Sequence, residues 1–158
     1  MLVPEGIAEF FAMRPIWLHA GTRGADLAPA VHFANAFRVD PERRFVDVLV
    51  VDTKGSRLRE HLADNGVFTA NFVQLPSHKS YQLKGRGEIL GASDPSVRAL
   101  AKALADENAS PAIALGFPQS FVDKMDALSG APSTVVRLHP EHVFDQTPGP
   151  GAGKRMEG

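Results

Sequence analysis

The sequence predicts a mostly antiparallel β-barrel with flanking helices, an α+β fold in which strands dominate. Its 158 residues are 44% hydrophobic and 22% charged, which suits one domain with a buried core. Five strand-like segments follow one another with a single helix among them, and two helices and a last strand complete the order. A doubly wound parallel sheet would need a helix after nearly every strand. Closely spaced strands therefore favour a small barrel.

The chain opens with a predicted helix over residues 5–13. Ile7, Phe10 and Phe11 would lie on one side of this helix and face the core. Strands are predicted where β-branched and aromatic residues cluster between turn-forming residues. The predicted strands are residues 16–21, 28–39, 45–52, 67–73, 78–90 and 133–138.

The second of these strands shows the clearest alternation. Val31, Phe33, Phe37 and Val39 occupy odd positions, which predicts that they share one face of the sheet. The residues DPERR that follow are typical of a turn.

A helix is predicted between the third and fourth strands, from Ser56 to Asp64. Ser56 is a favourable N-cap, and Leu58 and Leu62 stand four residues apart on one face. Gly66 is a typical helix stop.

Two further helices are predicted in the second half. Asp94 is a suitable N-cap for the first, and Pro95 fits its first helical position. The second covers residues 117–130, with large apolar residues three or four apart and Gly130 as its stop. Residues 1–146 are thus predicted to form a single domain. Residues 147–158 are predicted to be a Pro/Gly-rich tail without helix or strand.

The composition excludes several classes of function. With no cysteine, the chain cannot form a disulfide, a thiolate metal site or a cysteine nucleophile. A net charge of −1 argues against a nucleic-acid partner, and apolar runs no longer than a strand argue against a membrane span. Glu5 and Glu9 stand where a signal peptide would be basic and then apolar, so a cytoplasmic location is predicted. His139 and His142 are interpreted as part of a surface turn at a strand end, and no metal site is predicted.

The loop before the second helix has the residues of an anion site. Free amides at a helix start attract anions, and Thr53 and Ser56 would add hydroxyl donors there. Lys54 and Arg57 would add positive charge. An ordinary capped surface helix with solvated basic residues is the alternative interpretation of the same pattern.

The strand over residues 78–90 carries a polar row on one face. His78, Ser80, Gln82, Lys84 and Arg86 alternate with other residues along it. This row is either a solvated sheet face or a set of groups that contact a ligand near Ser80.

The order of these motifs resembles the pyridoxamine 5'-phosphate oxidase-like family of FMN-binding split barrels, over about residues 16 to 145. In that family a phosphate-binding loop reads roughly Thr-Asn-x-x-Ser-Arg-Lys, with a later Leu and Asn. Thr53, Ser56, Arg57, Leu62 and Asn65 follow that order here.

A later strand of the family reads Arg-Gln-Val-x-x-x-Gly, and Lys79, Ser80, Tyr81 and Gly85 occupy those places here. The resemblance implies that Ser56 and Arg57 hold the phosphate of FMN and that Thr53 lies near the phosphate or the ribityl chain. It also implies that Ser80 approaches the flavin and that Lys79 assists. Three positions depart from the family pattern, because Leu58, Pro29 and Ala34 stand where cations are expected.

The implied function is that of an FMN-dependent oxidoreductase acting on an unidentified small organic molecule other than pyridoxamine phosphate. The family resemblance further implies a homodimer with flavin sites at the subunit interface. No residue is predicted to be a catalytic acid or base. Two alternatives remain: a non-enzymatic flavin- or cofactor-binding protein for storage, sensing or haem handling, and a cofactor-free interaction protein on the same barrel.

Overall fold

Six antiparallel strands close into a barrel in the computed structural model, which describes residues 1–92 and 94–156. The strands are β1 Ile16–Arg23, β2 Pro29–Val39, β3 Val46–Val51, β4 Val67–Gln74, β5 Ser80–Ala92 and β6 Ser133–Asp145, followed by a short β7 Arg155–Met156. Their order in the sheet is β3-β2-β1-β4-β5-β6-β7, and pairing of β3 with β6 closes the barrel. The predicted antiparallel barrel with flanking helices is confirmed.

Four helices surround this barrel: α1 Glu5–Ala12, α2 Leu58–Asn65, α3 Pro95–Ala114 and α4 Gln119–Ser129. Helix α1 closes one end of the barrel, where the Phe10 ring contacts Tyr81 and the Phe11 ring contacts Phe72. Helix α2 closes the opposite end. We call these the α1 end and the α2 end.

A bulge in β2 corrects the predicted face of that strand. The pairing with β3 shifts between Ala34 and Ala36, and a bulge places one extra residue in the strand. Before the bulge Val31 and Phe33 point outwards and are 77% and 47% exposed. After it Phe37 packs against the aromatic core. The four odd-numbered apolar residues, Val31, Phe33, Phe37 and Val39, therefore do not share one face.

The helix boundaries differ from the prediction at the starts of α2 and α4, since α4 was predicted from residue 117 and begins at Gln119. Asp94 caps α3 as predicted, with its Oδ1 accepting a hydrogen bond from the Val97 amide at 3.0 Å. Gly66 ends α2 in the left-handed region, at φ 66°. The N-cap of α2 is Arg57 and not Ser56, although the Ser56 hydroxyl still accepts a hydrogen bond from the Leu58 amide.

Three predicted segments differ in the structure. The C-terminal tail is not wholly irregular, because its glycine-rich turn returns β7 to pair with Val143 and Phe144 of β6. Residues 157–158 of the predicted tail lie outside the described residues. Strand β5 begins at Ser80, since His78 adopts a left-handed turn conformation. The histidines of HPEH lie within β6, at a register shift around Pro140, and not at the end of a strand.

A second, smaller core lies outside the barrel under α3. It consists of Ala36, Leu49, Ala101 and Leu104. Helix α4 packs on α3 and buries none of its own side chains fully. Among the described residues, no helix combines the length and the apolar character that crossing a membrane requires.

Candidate functional site

The structure divides the predicted site residues between the two ends of the barrel. Thr53, Ser56 and Arg57 lie at the α2 end, whereas Lys79 and Ser80 lie at the α1 end, beside the β4–β5 hairpin. Six residues of β5 separate Ser80 from the α2 end, a distance of about 20 Å along the strand. The structure of the chain therefore does not bring the two groups together.

The loop at the start of α2 offers several hydrogen-bond donors. Its turn is closed by the Ser56 amide, which donates to the Thr53 carbonyl at 3.0 Å. The Leu58 amide donates to the Ser56 Oγ at 3.2 Å. The amides of Arg59 and Glu60 have no acceptor within the described part of the chain, as expected for the first turn of a helix. Two amides and the Ser56 hydroxyl proton are thus available to an anion.

The guanidinium of Arg57 is half exposed and forms an ion pair with Glu60. Arg57 Nη2 lies 2.9 Å from Glu60 Oε1. Hydrogen bonding to Glu60 raises the pKa of Arg57, and the same contact lowers the pKa of Glu60. A pair this exposed contributes little to stability, so an anionic ligand can compete with Glu60 for the guanidinium.

A buried chain of polar side chains lies directly behind this loop. The Thr22 Oγ1 is 2.8 Å from His32 Nε2 and 2.8 Å from His61 Nδ1, and all three residues are buried. One hydroxyl proton can serve only one imidazole, so Thr22 donates to one histidine and accepts from the other. Burial is the main cause that lowers the pKa of His32; the nearby His61 lowers it further and Asp52 opposes the shift.

The far nitrogen of His61 is unpaired within the described part of the chain. His61 is fully buried, and among the described residues nothing hydrogen-bonds to its Nε2. This nitrogen and Arg57 Nη2 each lie 3.4 Å from the point where a β-carbon on Gly24 would stand. Asp26 Oδ1 lies 2.6 Å from the same point, so a side chain at position 24 would require Asp26 to move. The absence of a β-carbon therefore lets Arg57 and the buried His61 lie close to the Gly24 backbone.

Sequence reasoning missed Thr22, His32 and His61. A signal existed for His61, because it shares the inner face of α2 with Leu58 and Leu62. His32 was concealed by the bulge, since the odd-numbered residues around it looked like the core face of β2.

The α1 end presents a different kind of site. An open cleft of about 350 Å³ on the outer face of the barrel is lined by neutral polar side chains, among them Asn71, Ser80, Gln82 and Gln146. His19 also lines it, and burial lowers the pKa of this histidine. The Ser80 hydroxyl donates to the His78 carbonyl at 2.7 Å. The Lys79 ammonium lies 5.7 Å from the centre of the Tyr81 ring.

The polar row of β5 lies on the outer face between the two ends. Ser80, Gln82, Lys84 and Arg86 alternate with Tyr81 and Leu83, which point into the barrel, and with the buried Gly85. The three positions where the family pattern expects cations offer no charge here. Leu58 and Ala34 are buried in the core, and Pro29 is exposed where β2 begins.

Comparison with known proteins supports the fold. No protein-family model and no curated protein matches the sequence. HupZ of Group A Streptococcus is 18% identical, with 96% of this chain and 100% of HupZ covered at a TM-score of 0.53. A candidate pyridoxamine 5'-phosphate oxidase of Lactobacillus delbrueckii is 19% identical, with 90% and 93% covered at a TM-score of 0.53. HutZ, the heme storage protein of Vibrio cholerae, is 20% identical, with 92% and 95% covered at a TM-score of 0.49.

The first two likenesses, together with the barrel topology, identify the architecture. The chain has the split-barrel fold of pyridoxamine 5'-phosphate oxidase-like proteins.

Proposed function

We propose that the protein is an FMN-dependent oxidoreductase that holds the cofactor phosphate at the start of α2. The observation that carries the proposal is the set of unpaired donors there. The Arg59 and Glu60 amides, the Ser56 hydroxyl and the buried His61 Nε2 all lack an acceptor in the part of the chain that the structure describes. Split-barrel neighbours include a candidate pyridoxamine 5'-phosphate oxidase, which supports a flavin as the ligand.

The donor set fits a phosphate monoester. Amides at a helix start and a guanidinium are strong donors to phosphate oxygens. The phosphate would compete with Glu60 for Arg57, and a doubly charged ester is the stronger acceptor. His61 can donate from Nε2 when Thr22 donates to His61 Nδ1, which places the single proton of the neutral imidazole on Nε2. Thr53 is exposed beside this loop and is assigned to the phosphate or ribityl chain.

The separation of the two predicted groups favours a homodimer. In the proposed dimer, Lys79 and Ser80 of one subunit serve the flavin whose phosphate the other subunit holds. The outer face of the barrel supplies a suitable contact surface, because Val31 and Phe33 are exposed there, separated from the polar row of β5 by the two strands β1 and β4.

Bound FMN would supply the electron transfer to or from a small organic substrate. The residues of this chain would bind and orient the cofactor: Ser56, Arg57 and His61 at the phosphate, and Ser80 with Lys79 near the ring. No side chain is assigned the role of catalytic acid or base.

An FMN titration with one matched variant pair tests this function. Arg57→Ala is expected to weaken FMN binding roughly 10- to 150-fold, the range for a hydrogen bond to a charged group. Arg59→Ala removes the same charge two residues away, where the side chain pairs with Asp52, and should change affinity far less. Binding is followed by flavin fluorescence and the visible spectrum.

The outcomes separate the alternatives. A wild-type protein that does not bind FMN would favour the cofactor-free interaction protein or a barrel that handles a different cofactor such as haem. Storage or sensing would be favoured if NADH or NADPH reduces the bound FMN but no added substrate reoxidises it faster than oxygen does. Equal FMN affinity in the Arg57→Ala and wild-type proteins would show that the start of α2 does not bind the cofactor phosphate.

A further inference from the structure

An open cavity lies on the outer face of β2, β3 and β6, beneath the first turns of α3. Its volume is about 230 Å³. The large apolar side chains that line it come from four elements: Leu49 of β3, Leu90 of β5, Val135 of β6, and Val97 and Leu100 of α3. The cavity belongs neither to the start of α2 nor to the cleft at Ser80.

Strand pairing arranges the floor of this cavity in two rows. The first row is apolar and lies under α3: Ala36 of β2, Leu49 of β3 and Val135 of β6. The next row, two residues further along each strand, is charged: Arg38, Asp47 and Arg137. Two residues of a strand span about 6–7 Å. The cavity therefore has an apolar part and a charged mouth within reach of one small molecule.

Among the charged groups at the mouth, Arg38 is available to a ligand. The carboxylate of Asp47 accepts hydrogen bonds from Arg137 Nε, at 2.8 Å, and Arg137 Nη2, at 3.0 Å. Asp94 also lines the mouth, but its Oδ1 caps α3 and attracts Arg38 through space without a hydrogen bond. Arg38 is exposed and forms no hydrogen bond or ion pair within residues 1–92 and 94–156. An anion can therefore bind it through charge-assisted hydrogen bonds.

The apolar part of the cavity suits a hydrocarbon chain better than water. An apolar cavity of about 150 Å³ is large enough for a benzene molecule and stays dry without one. The volume here is larger, and the apolar row offers water no side-chain partner for a hydrogen bond. An alkyl chain that displaces such poorly held water gains affinity.

We propose that this cavity binds a small monocarboxylate with a short alkyl chain. The carboxylate would pair with Arg38, and the chain would lie on the apolar row beneath α3. A second carboxylate would be repelled by Asp47 and Asp94, which favours a ligand with a single negative charge. This site is independent of the proposed flavin site, since it contains none of the residues assigned to FMN.

Hexanoate, hexan-1-ol and acetate test the two parts of the cavity separately. The methyl resonances of Val97 and Val135 in ¹H–¹³C spectra report binding and locate the ligand. Hexanoate is expected to shift them saturably and to bind about three- to tenfold more tightly than hexan-1-ol, which lacks the charge. It should bind at least about tenfold more tightly than acetate, because each buried methylene contributes roughly fourfold.

A charge variant tests the role of Arg38. Arg38→Gln should lower the affinity for hexanoate to that for hexan-1-ol. The affinity for hexan-1-ol itself should stay unchanged, which shows that the apolar part is intact in the variant. Lys124→Gln removes an exposed positive charge on α4, outside the cavity, and should change neither affinity.

A second pair of variants tests the location. Ala92→Leu narrows the cavity from an exposed position of β5 and should weaken the binding of hexanoate and hexan-1-ol at least about tenfold. Ala99→Leu adds the same side chain on the exposed face of α3, outside the cavity, and should leave both unchanged. The proposal would be overturned by the absence of a saturable shift, by equal affinity for hexanoate and either comparison compound, or by undiminished hexanoate binding in Arg38→Gln or Ala92→Leu.

Discussion

The two helices that close the barrel use different chemistry for the same task. At the α1 end Ile7, Phe10 and Phe11 enter the core, and every inserted group is apolar. At the α2 end Leu58 and Leu62 are accompanied by His61, which is just as deeply buried. An apolar plug needs only volume and shape, whereas a buried imidazole needs a partner for each nitrogen.

The difference shows where the fold departs from what stability alone favours. A leucine at position 61 would need no hydrogen bonds, yet a histidine stands there, and one of its nitrogens has no partner among residues 1–92 and 94–156. Local features that cost stability are expected at functional sites. We therefore propose the ligand site at the α2 end, whereas α1 stabilises the core by packing.

The largest effect is expected from truncating the apolar plug. Phe10→Ala removes a fully buried ring that contacts Tyr81 and Phe11. The free energy of unfolding should fall by about 3–5 kcal/mol. Urea unfolding followed by circular dichroism measures this free energy. A smaller decrease for Phe10→Ala than for Thr22→Val would contradict the expected difference between the two ends.

A smaller loss of stability is expected at the polar plug. Thr22→Val removes the hydroxyl between His32 and His61 and leaves a buried nitrogen on each without its partner. The free energy of unfolding should fall by about 1–3 kcal/mol. Ser80→Ala, at the exposed α1 end, is the control and should change it by less than about 0.5 kcal/mol. A Thr22→Val protein as stable as the control would show that the polar chain is not formed.

The buried polar chain at the α2 end should also make the stability of the protein depend on pH. The pKa of His32 is lowered in the folded protein, chiefly by burial, from an ordinary value of 6.5. Below pH 6.5 the unfolded chain binds a proton that the folded chain does not. The contribution of His32 to the free energy of unfolding is therefore complete above this pH and declines as the pH falls towards the folded pKa. Asp40 and Glu60 have lowered pKa values from 3.8 and 4.5, so their contribution is lost only at lower pH.

Urea unfolding at pH 7.5, 6.5 and 5.5 measures this decline. The pKa of His19 is lowered too, so the His19→Gln protein separates its share from that of His32. Stability that is constant or rises between pH 7.5 and pH 5.5 in the His19→Gln protein would contradict the burial of a neutral His32.

The smallest effect concerns the charge at the start of α2. Glu60→Gln removes the carboxylate that occupies Arg57, so FMN should bind about two- to fivefold more tightly, the range for an exposed ion pair. The control is Asp64→Asn, another exposed acid on α2 with no contact to Arg57. Weaker FMN binding in Glu60→Gln than in the control would indicate that Glu60 itself belongs to the ligand site.

The sequence predicted the order of strands and helices along the chain well, because alternation, caps and stops are local signals. Asp94 before Pro95 and Gly66 after α2 are examples. It did not predict the face reversal in β2, since one extra residue at Ala34–Ala36 leaves no mark in the alternation itself. The Thr22–His32–His61 chain was beyond reach for a related reason, because it joins three elements that meet only when the barrel closes.

The separation of Arg57 from Ser80 likewise could not be derived from their spacing along the chain. Motif order places both near one ligand, whereas the barrel puts them at opposite ends. Only the register of β4 and β5 reveals this.

The reversal in β2 also constrains how this strand can vary. Deleting Asn35 would remove the extra residue, so that His32 and Phe37 would both still face the barrel in an uninterrupted alternation. Deleting Phe33 would instead keep the bulge and turn one of these two side chains outwards. In relatives with the same barrel, we therefore expect a one-residue deletion within this strand only where the bulge itself is lost.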